Sequence, residues 1–427
     1  MTVLYWFRQD RRLADNPALC QAAGLGQRLL PVTMRLEPEQ TVWGFERHGP
    51  HRLGFEAQAL SGLAQALESL GSALYQPKTP GAAGLIELAR DVGATHVVCE
   101  ALSAPEEQAQ IQALKGAGLS VLAIEQSALI GHDRLPFAPQ DTPDVFSEFR
   151  RQIERTPIKP RTPLAAPATL PKPPATINAA SRWCANVSPR ALDQRSAFAW
   201  QTEPWQGDEQ SAQAHLARYF EGHWPQHYKQ TRNRLSGTHD STKFSPWLAV
   251  GALSAAQIWS ALKAHEAKFG ANDSTYWIGF ELLWRDHFRL IMQRYGAQLF
   301  RTQGITVSHS RKHQPSTQGF ERWRLGQTGH RLIDAGMREL ASTGYLSNRM
   351  RQIVASYLIH EMRGHWLAGA AWFEHCLIDF DVHSNQGNWA YIAGVGTDPR
   401  AGRQFNPDKQ AREHDPDERY RNLWSQP

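Results

Sequence analysis

Seven prolines fall within residues 157–174: Pro157, Pro160, Pro163, Pro167, Pro171, Pro173 and Pro174. Each fixes φ and removes a backbone donor, so neither a helix nor an interior strand can run through this stretch. The chain must therefore fold as two units joined by an extended connector. The two sides differ chemically, because twelve of the 15 tryptophans lie at or beyond Trp200. Such loading suits either a large helical core or stacking surfaces for a flat ligand.

Upstream of the connector, apolar runs at 3–7, 29–34, 72–75, 96–99 and 119–124 alternate with helix-forming stretches at 53–70, 82–92 and 105–117. This alternation predicts an α/β domain over 1–130 with a doubly wound parallel sheet. A dinucleotide fingerprint is excluded: Gly24-Leu25-Gly26 lacks the third glycine, and the first strand leads into Arg8-Gln9-Asp10-Arg11. Residues 131–200 read as a Pro-rich interdomain linker. Beyond it, over 201–427, helical spacing dominates and predicts an all-α domain. Trp277, Phe280, Trp284, Phe288, Ile291 and Tyr295 trace one face of a long helix.

The net charge of +5 and pI near 9.0 fit a polyanionic partner without requiring one. Cys20, Cys99, Cys184 and Cys376 form no C-x-x-C pair, which excludes zinc-ribbon and dithiol redox signatures. The opening apolar run is too short for a signal peptide, and no run approaches a membrane span, so a cytoplasmic protein is expected. No metal site is expected. His360 and His365 are one residue too far apart for H-E-x-x-H, and the His223/His227 and His309/His313 pairs suggest no third ligand.

Three blocks carry chemistry. In the first, Glu281 lies three and four residues before Trp284 and Arg285, so all share a helix face; an ordinary Glu–Arg pair beside a core Trp has the same spacing. In the second, Asn348, Arg351 and Gln352 share a face, and the apolar residues that follow imply a largely buried helix. The third block sets Asp379, Asp381, Asn385 and Trp389 in aromatic surroundings. A calcium loop is excluded there, since His383 and Ser384 stand where a ligand and a glycine are needed. Upstream, Ser241-Thr242-Lys243-Phe244-Ser245 before Pro246 suits a pyrophosphate or an ordinary helix cap.

These blocks, with the opening Tyr5-Trp6-Phe7-Arg8-Gln9-Asp10-Arg11-Arg12-Leu13 and the run 227–232, resemble the flavin-containing photolyase/cryptochrome family over nearly the whole chain. Gln352 and the Phe244-Ser-Pro-Trp247 form are similar to its DASH-type branch. The resemblance implies one bound FAD, contacted by Tyr228, Ser241, Thr242, Lys243, Phe244, Ser245, Arg285, Arg351, Asp379, Asp381 and Asn385. It places Arg232, Glu281, Trp284, Asn348, Gln352 and Tyr391 at the substrate. Asn385 would face flavin N5. Trp389 and Trp366 would begin an electron-transfer chain whose third member is unplaced, because 301–320 holds no Trp; Trp323 and Trp372 are other exits.

The implied reaction is light-driven electron transfer from reduced flavin to a cyclobutane pyrimidine dimer. The implied partner is DNA, single-stranded because the smaller aromatic Tyr391, together with Gln352, implies a poorer grip on a flipped dimer. The protein is expected to act as a monomer. A blue-light photoreceptor without repair activity is the rival reading, and the absence of a long tail after Trp424 counts against a tail-driven switch. A flavin oxidoreductase with a diffusible reductant lacks a nicotinamide fingerprint. Glu106 and Glu107 fall where family members hold a folate antenna (5,10-methenyltetrahydrofolate). The same pair after Pro105 also reads as helix N-terminal charge, and both readings stay open.

Overall fold

The computed structural model describes residues 1–185, 191–306, 317–400 and 402–426; the His309/His313 pair lies outside them. Four apolar runs form parallel strands β1 (Thr2–Phe7), β2 (Arg28–Thr33), β3 (His96–Glu100) and β4 (Ser120–Ile124), in the order β2-β1-β3-β4. Buried faces on both sides explain the nearly unbroken apolar sequence of β1 and β3. The helices between them include Pro50–Ser69, Gly81–Asp91 and Pro105–Gly116, within three residues of the sequence-based bounds.

Two elements differ from expectation. The run 72–75 contributes no fifth strand; only Tyr75 bridges to Val32 and to Arg182. It is too short to make a ladder, and Pro77, two residues on, offers no donor to extend one. The helix Pro17–Leu25 went unread: the Asn16 side chain accepts from Leu19 N at 3.0 Å, and Pro17 takes a first-turn position where no donor is needed.

The stretch 131–200 is more than a linker. It carries the helix Phe146–Arg155, and Phe146, Phe149, Phe198 and Trp200 enter the core of the helical half. The proline-dense part, 157–174, has no helix or strand.

In the helical half, the 23-residue helix Asp273–Tyr295 begins with a reciprocal capping box between Asn272 and Thr275. Of the face traced by that spacing, Phe288 and Ile291 are buried, whereas Trp277, Phe280, Trp284 and Tyr295 are half-buried. Trp277, Phe280, Trp284 and Phe288 line a cavity, so the stripe reads as apolar because it walls a binding space. The helix Val382–Ala393 crosses this one so closely that a Cβ on Gly387 would lie 2.2 Å from Phe288 Cδ1.

The two halves meet at the carboxyl ends of the strands, where the strand order reverses and α/β sheets commonly bind ligands. Here the two halves touch: Ser103 Oγ donates to Arg289 O at 3.4 Å and Arg12 Nη1 to Gly251 O at 3.0 Å. Both Asp286 oxygens accept backbone N–H groups, from Leu129 and Ile130, at 2.9 Å. Burial raises the Asp286 carboxyl to about 7, opposed by those two bonds. Gly251, with φ +79°, presses on Gln9 O, a position no side chain could share.

Candidate flavin and substrate site

The helix Asn348–His360 starts where the Ser347 hydroxyl caps Met350 N, which turns Asn348, Arg351 and Gln352 toward the long helix. The Asp381 carboxylate caps Val382–Ala393 in the same way, accepting from Ser384 N at 2.8 Å. These three helices and the loop 241–245 enclose a cavity of ≈ 490 Å³, in the range of cofactor and substrate sites. A recess of ≈ 100 Å³ adjoins it and shares Asn348, Arg351, Gln352 and Asp379 with it.

Nearly every residue singled out from sequence lines this space. The cavity is walled by Tyr228, Arg232, Ser241, Thr242, Lys243, Phe244, Ser245, Glu281, Trp284, Arg285 and Tyr391; Asp381, Asn385 and Trp389 line the recess. Trp366 stands apart: it is buried in the core and donates from Nε1 to Thr302 O at 2.9 Å. The ring contacts of Trp389 are Phe373, at 5.0 Å between centroids, and Trp323, at 6.1 Å. Trp366 is not among them.

The two aspartates are not equivalent. Asp381 spends both oxygens within the protein, one on Ser384 N and one on Arg289 Nη2 at 2.9 Å. Although burial opposes it, Arg289 and His383 hold this carboxyl well below the usual range. Asp379 accepts from Arg351 Nη2 at 2.8 Å through Oδ2 alone. Its Oδ1 is buried without a partner among the described residues, as is Trp389 Nε1. An unpaired acceptor and an unpaired donor therefore border the recess, a costly arrangement in an empty core and a useful one around a polar ring.

On the wall formed by the long helix, Trp284 stacks on Phe146 (3.7 Å between centroids, 11° between planes) and meets Tyr391 edge-on at 5.9 Å. Glu281 forms an ion pair with Arg232, whose guanidinium lies 4.6 Å from the Trp277 ring centroid. Arg285 donates to Ser127 O at 2.5 Å, and burial, with Arg289 nearby, lowers its guanidinium to about 10. Arg232 and Arg403 both reach the cavity. Arg349, outside that lining, donates to Asn233 Oδ1 at 3.0 Å and lies 5.9 Å from the ring of Phe405, which does line the cavity.

Sequence reasoning missed several contributors. Tyr345 accepts from Lys243 Nζ at 3.2 Å and lines the cavity. Buried His215 pairs its Nε2 with Thr242 O at 2.8 Å and its Nδ1 with Arg218, which steadies the loop whose Lys243 has φ +56°. Burial keeps His215 near 4 and thus neutral. No motif announces it; only a histidine amid Trp205, Trp247 and Phe244 would have hinted. In the other half, Glu106 is committed to an ion pair with Arg47 at 2.6 Å, and burial raises the Glu107 carboxyl.

The chain is similar to known proteins over nearly its whole length. A model of DNA photolyase matches residues 3–171, and one of the FAD-binding domain of DNA photolyase matches 277–426. The chain belongs to the photolyase/cryptochrome family. The cryptochrome DASH of Gloeobacter violaceus is 41% identical over 439 residues, spanning 99% of this chain and 85% of that protein. That of Xenopus laevis is 36% identical, spanning 99% and 82%. Among solved structures, the cryptochrome of Synechocystis superposes with a TM-score of 0.92 at 38% identity, covering 99% of this chain and 88% of its own. A class III photolyase from Agrobacterium tumefaciens gives 0.78 at 26%, covering 99% and 86%. The helical half thus carries the FAD-binding domain of this family, and the unpaired Asp379 oxygen and the hydroxyl-rich loop fit that cofactor. Among the described residues no helix is long and apolar enough to cross a membrane.

Proposed function

We propose that this cryptochrome-DASH relative splits cyclobutane pyrimidine dimers under light, preferentially in single-stranded DNA. The observation that carries the reading is one continuous space in which Glu281 and Trp284 face Asn348 and Gln352, with the Asp379-lined recess beyond. FAD would be held by Tyr228, Ser241, Thr242, Lys243 and Ser245 at its phosphates and by Arg285, Arg351, Asp379 and Asn385 around its ring, with Asp381 acting through its helix cap. When bound and reduced, it would supply the photoexcited electron that the protein cannot.

The chain's own groups bind, orient and exclude water. Trp284, braced by Phe146, offers a fixed face on which one base of the dimer stacks, a contact worth about 1–3 kcal/mol. Asn348 and Gln352 present amides to base edges, and Glu281 places a carboxylate at the same level to accept a hydrogen bond. Arg232 neutralises Glu281 until a substrate arrives and lines the cavity with Arg403, where a phosphate backbone would run. Trp389 would carry electrons toward the recess from the core, fed first by Trp323, whose ring contacts it, with Trp366 as a second route.

The strand preference follows from cost. Extruding a dimer from duplex takes a few kcal/mol that a single strand largely avoids. With the small ring of Tyr391 opposite Trp284, little stacking energy offsets that cost. The rival photoreceptor reading draws on the Arg232–Glu281 pair, which occupies the carboxylate that repair would use. Glu281→Gln and Trp284→Ala decide between them: repair predicts loss of dimer splitting at unchanged FAD content. Splitting at the wild-type rate in both variants would refute the roles assigned here.

A further inference from the structure

Just past the helix Val382–Ala393, the chain turns back through Asp398 to Arg403 and makes a small charged device at the cavity mouth. The Asp398 side chain is 0% exposed. Its Oδ1 accepts from Arg400 N at 3.0 Å and Arg400 Nε at 3.2 Å, and its Oδ2 accepts from Arg403 Nε at 3.0 Å. Held this way, both guanidiniums converge on one atom. Arg403 Nη2 donates to the Tyr391 hydroxyl at 2.5 Å and Arg400 Nη2 at 3.3 Å. The Arg403 guanidinium also lies 4.8 Å from the Tyr391 ring centroid. On its other side, Tyr391 meets Trp284.

A tyrosine at the end of a helix ordinarily keeps rotational freedom about χ1 and χ2. Here the hydroxyl is fixed by two charged donors and the ring by a cation, while one buried carboxylate fixes the donors. Such charge-assisted bonds are the strong ones. Two guanidiniums against one carboxylate leave a net positive charge. The arginine side chains are 61% and 34% exposed, which leaves outward N–H groups open to a ligand.

We propose that Asp398 is a positioning residue: through Arg400 and Arg403 it locks Tyr391 as a rigid wall opposite Trp284, and this lock sets discrimination for a splayed dinucleotide over an ordinary stacked strand. It rests on the reading of the cavity as a lesion site. The outward N–H groups of the same two arginines suit the phosphodiester next to the bases, so one carboxylate aligns backbone capture with base capture. The Tyr391 hydroxyl, absent from a phenylalanine or tryptophan, becomes the specificity element, beyond the size of its ring.

The test measures the Kd of FAD-loaded protein for a single-stranded oligonucleotide with one thymine dimer and for the same strand undamaged. Wild type, Tyr391→Phe, Asp398→Asn and the double variant are compared. Each single variant is expected to lose about tenfold in dimer-over-undamaged preference, the scale of one charge-assisted hydrogen bond, at unchanged FAD content. The double variant is expected to lose no more than either single, because all four side chains, Asp398, Arg400, Arg403 and Tyr391, act as one unit. Unchanged preference in Tyr391→Phe, or losses that add in the double variant, would overturn the proposal. Tyr391→Phe is nearly isosteric and keeps the test decisive if Asp398→Asn does not fold. Failure of the underlying lesion-site reading shows separately, as no dimer preference in the wild type.

Discussion

Replacing Asp379 by Asn tests the contact proposed between the recess and FAD. The native carboxylate has a side chain 1% exposed and divides its oxygens: Oδ2 accepts from Arg351 at 2.8 Å, and Oδ1 has no partner among the described residues. An amide oxygen can still accept from Arg351. Arg351 is not stranded either, since its Nε donates to Leu346 O at 2.9 Å. The apoprotein should therefore lose only about 1 kcal/mol, the net value of an ordinary hydrogen bond. The other end of the amide, however, becomes an NH₂ where an acceptor stood. A ring N–H of FAD would lose a charge-assisted bond worth about 1.5–3 kcal/mol and face a donor instead. FAD affinity should fall about ten- to hundredfold. Titration of deflavinated protein, read by quenching of flavin fluorescence, gives the affinity, and chemical unfolding of the apoprotein gives the control. An affinity within twofold of wild type would refute the assignment of Asp379 Oδ1 to the ring. So would a loss of apoprotein stability as large as the loss of binding.

Two further outcomes follow from groups outside that contact. Burial raises the Glu339 carboxyl to about 7, opposed by the Tyr420 hydroxyl bond. The native state thus keeps a proton that the unfolded chain releases near 4.5, and stability falls as pH rises from there to 7, by about 3 kcal/mol for this group. Glu339→Gln keeps an acceptor for Tyr420 and removes the ionisation, so urea midpoints should rise at pH 8 and barely change at pH 5; equal effects at both would contradict this. For photoreduction, Trp389→Phe should strongly slow light-driven reduction of bound FAD. From the ring distances, Trp323→Phe should slow it more than Trp366→Phe, and the reverse order, read by flavin absorbance under steady illumination, would restore Trp366 as the next donor.

Spacing and burial cost singled out polar side chains in aromatic sequence, but their assignment to a flavin and a substrate came from the resemblance to the photolyase/cryptochrome family. Glu281 with Trp284, and Asn348 with Arg351 and Gln352, fall on faces that spacing alone assigns, and the structure turns those faces into one cavity. The parallel sheet was legible from a comparable signal: β1 and β3 are apolar on both sides. What depends on tertiary approach was not. Spacing cannot show that Asp381 is consumed by Arg289, 92 residues away in sequence, while Asp379 Oδ1 has no partner among the described residues. Nor can it show that Trp323 rather than Trp366 touches Trp389. The Phe146–Arg155 helix was hidden by proximity to the prolines, and the stacking of Phe146 on Trp284 is a contact across 138 positions. Asp398, Arg400 and Arg403 carry no motif; their meaning arises only where the chain folds back on Tyr391.

The central claim is repair of dimers in single strands, and dimer splitting tests it most directly. The reduced, FAD-loaded protein is illuminated with near-UV or blue light on matched single-stranded and duplex oligonucleotides with one cyclobutane dimer, and restored pyrimidines are quantified. Rapid splitting in the single strand with little in the duplex is the predicted result. Equal splitting of both would contradict the argument from Tyr391 and extrusion cost. No splitting of either, with flavin bound and reducible, would contradict repair itself and leave a photoreceptor.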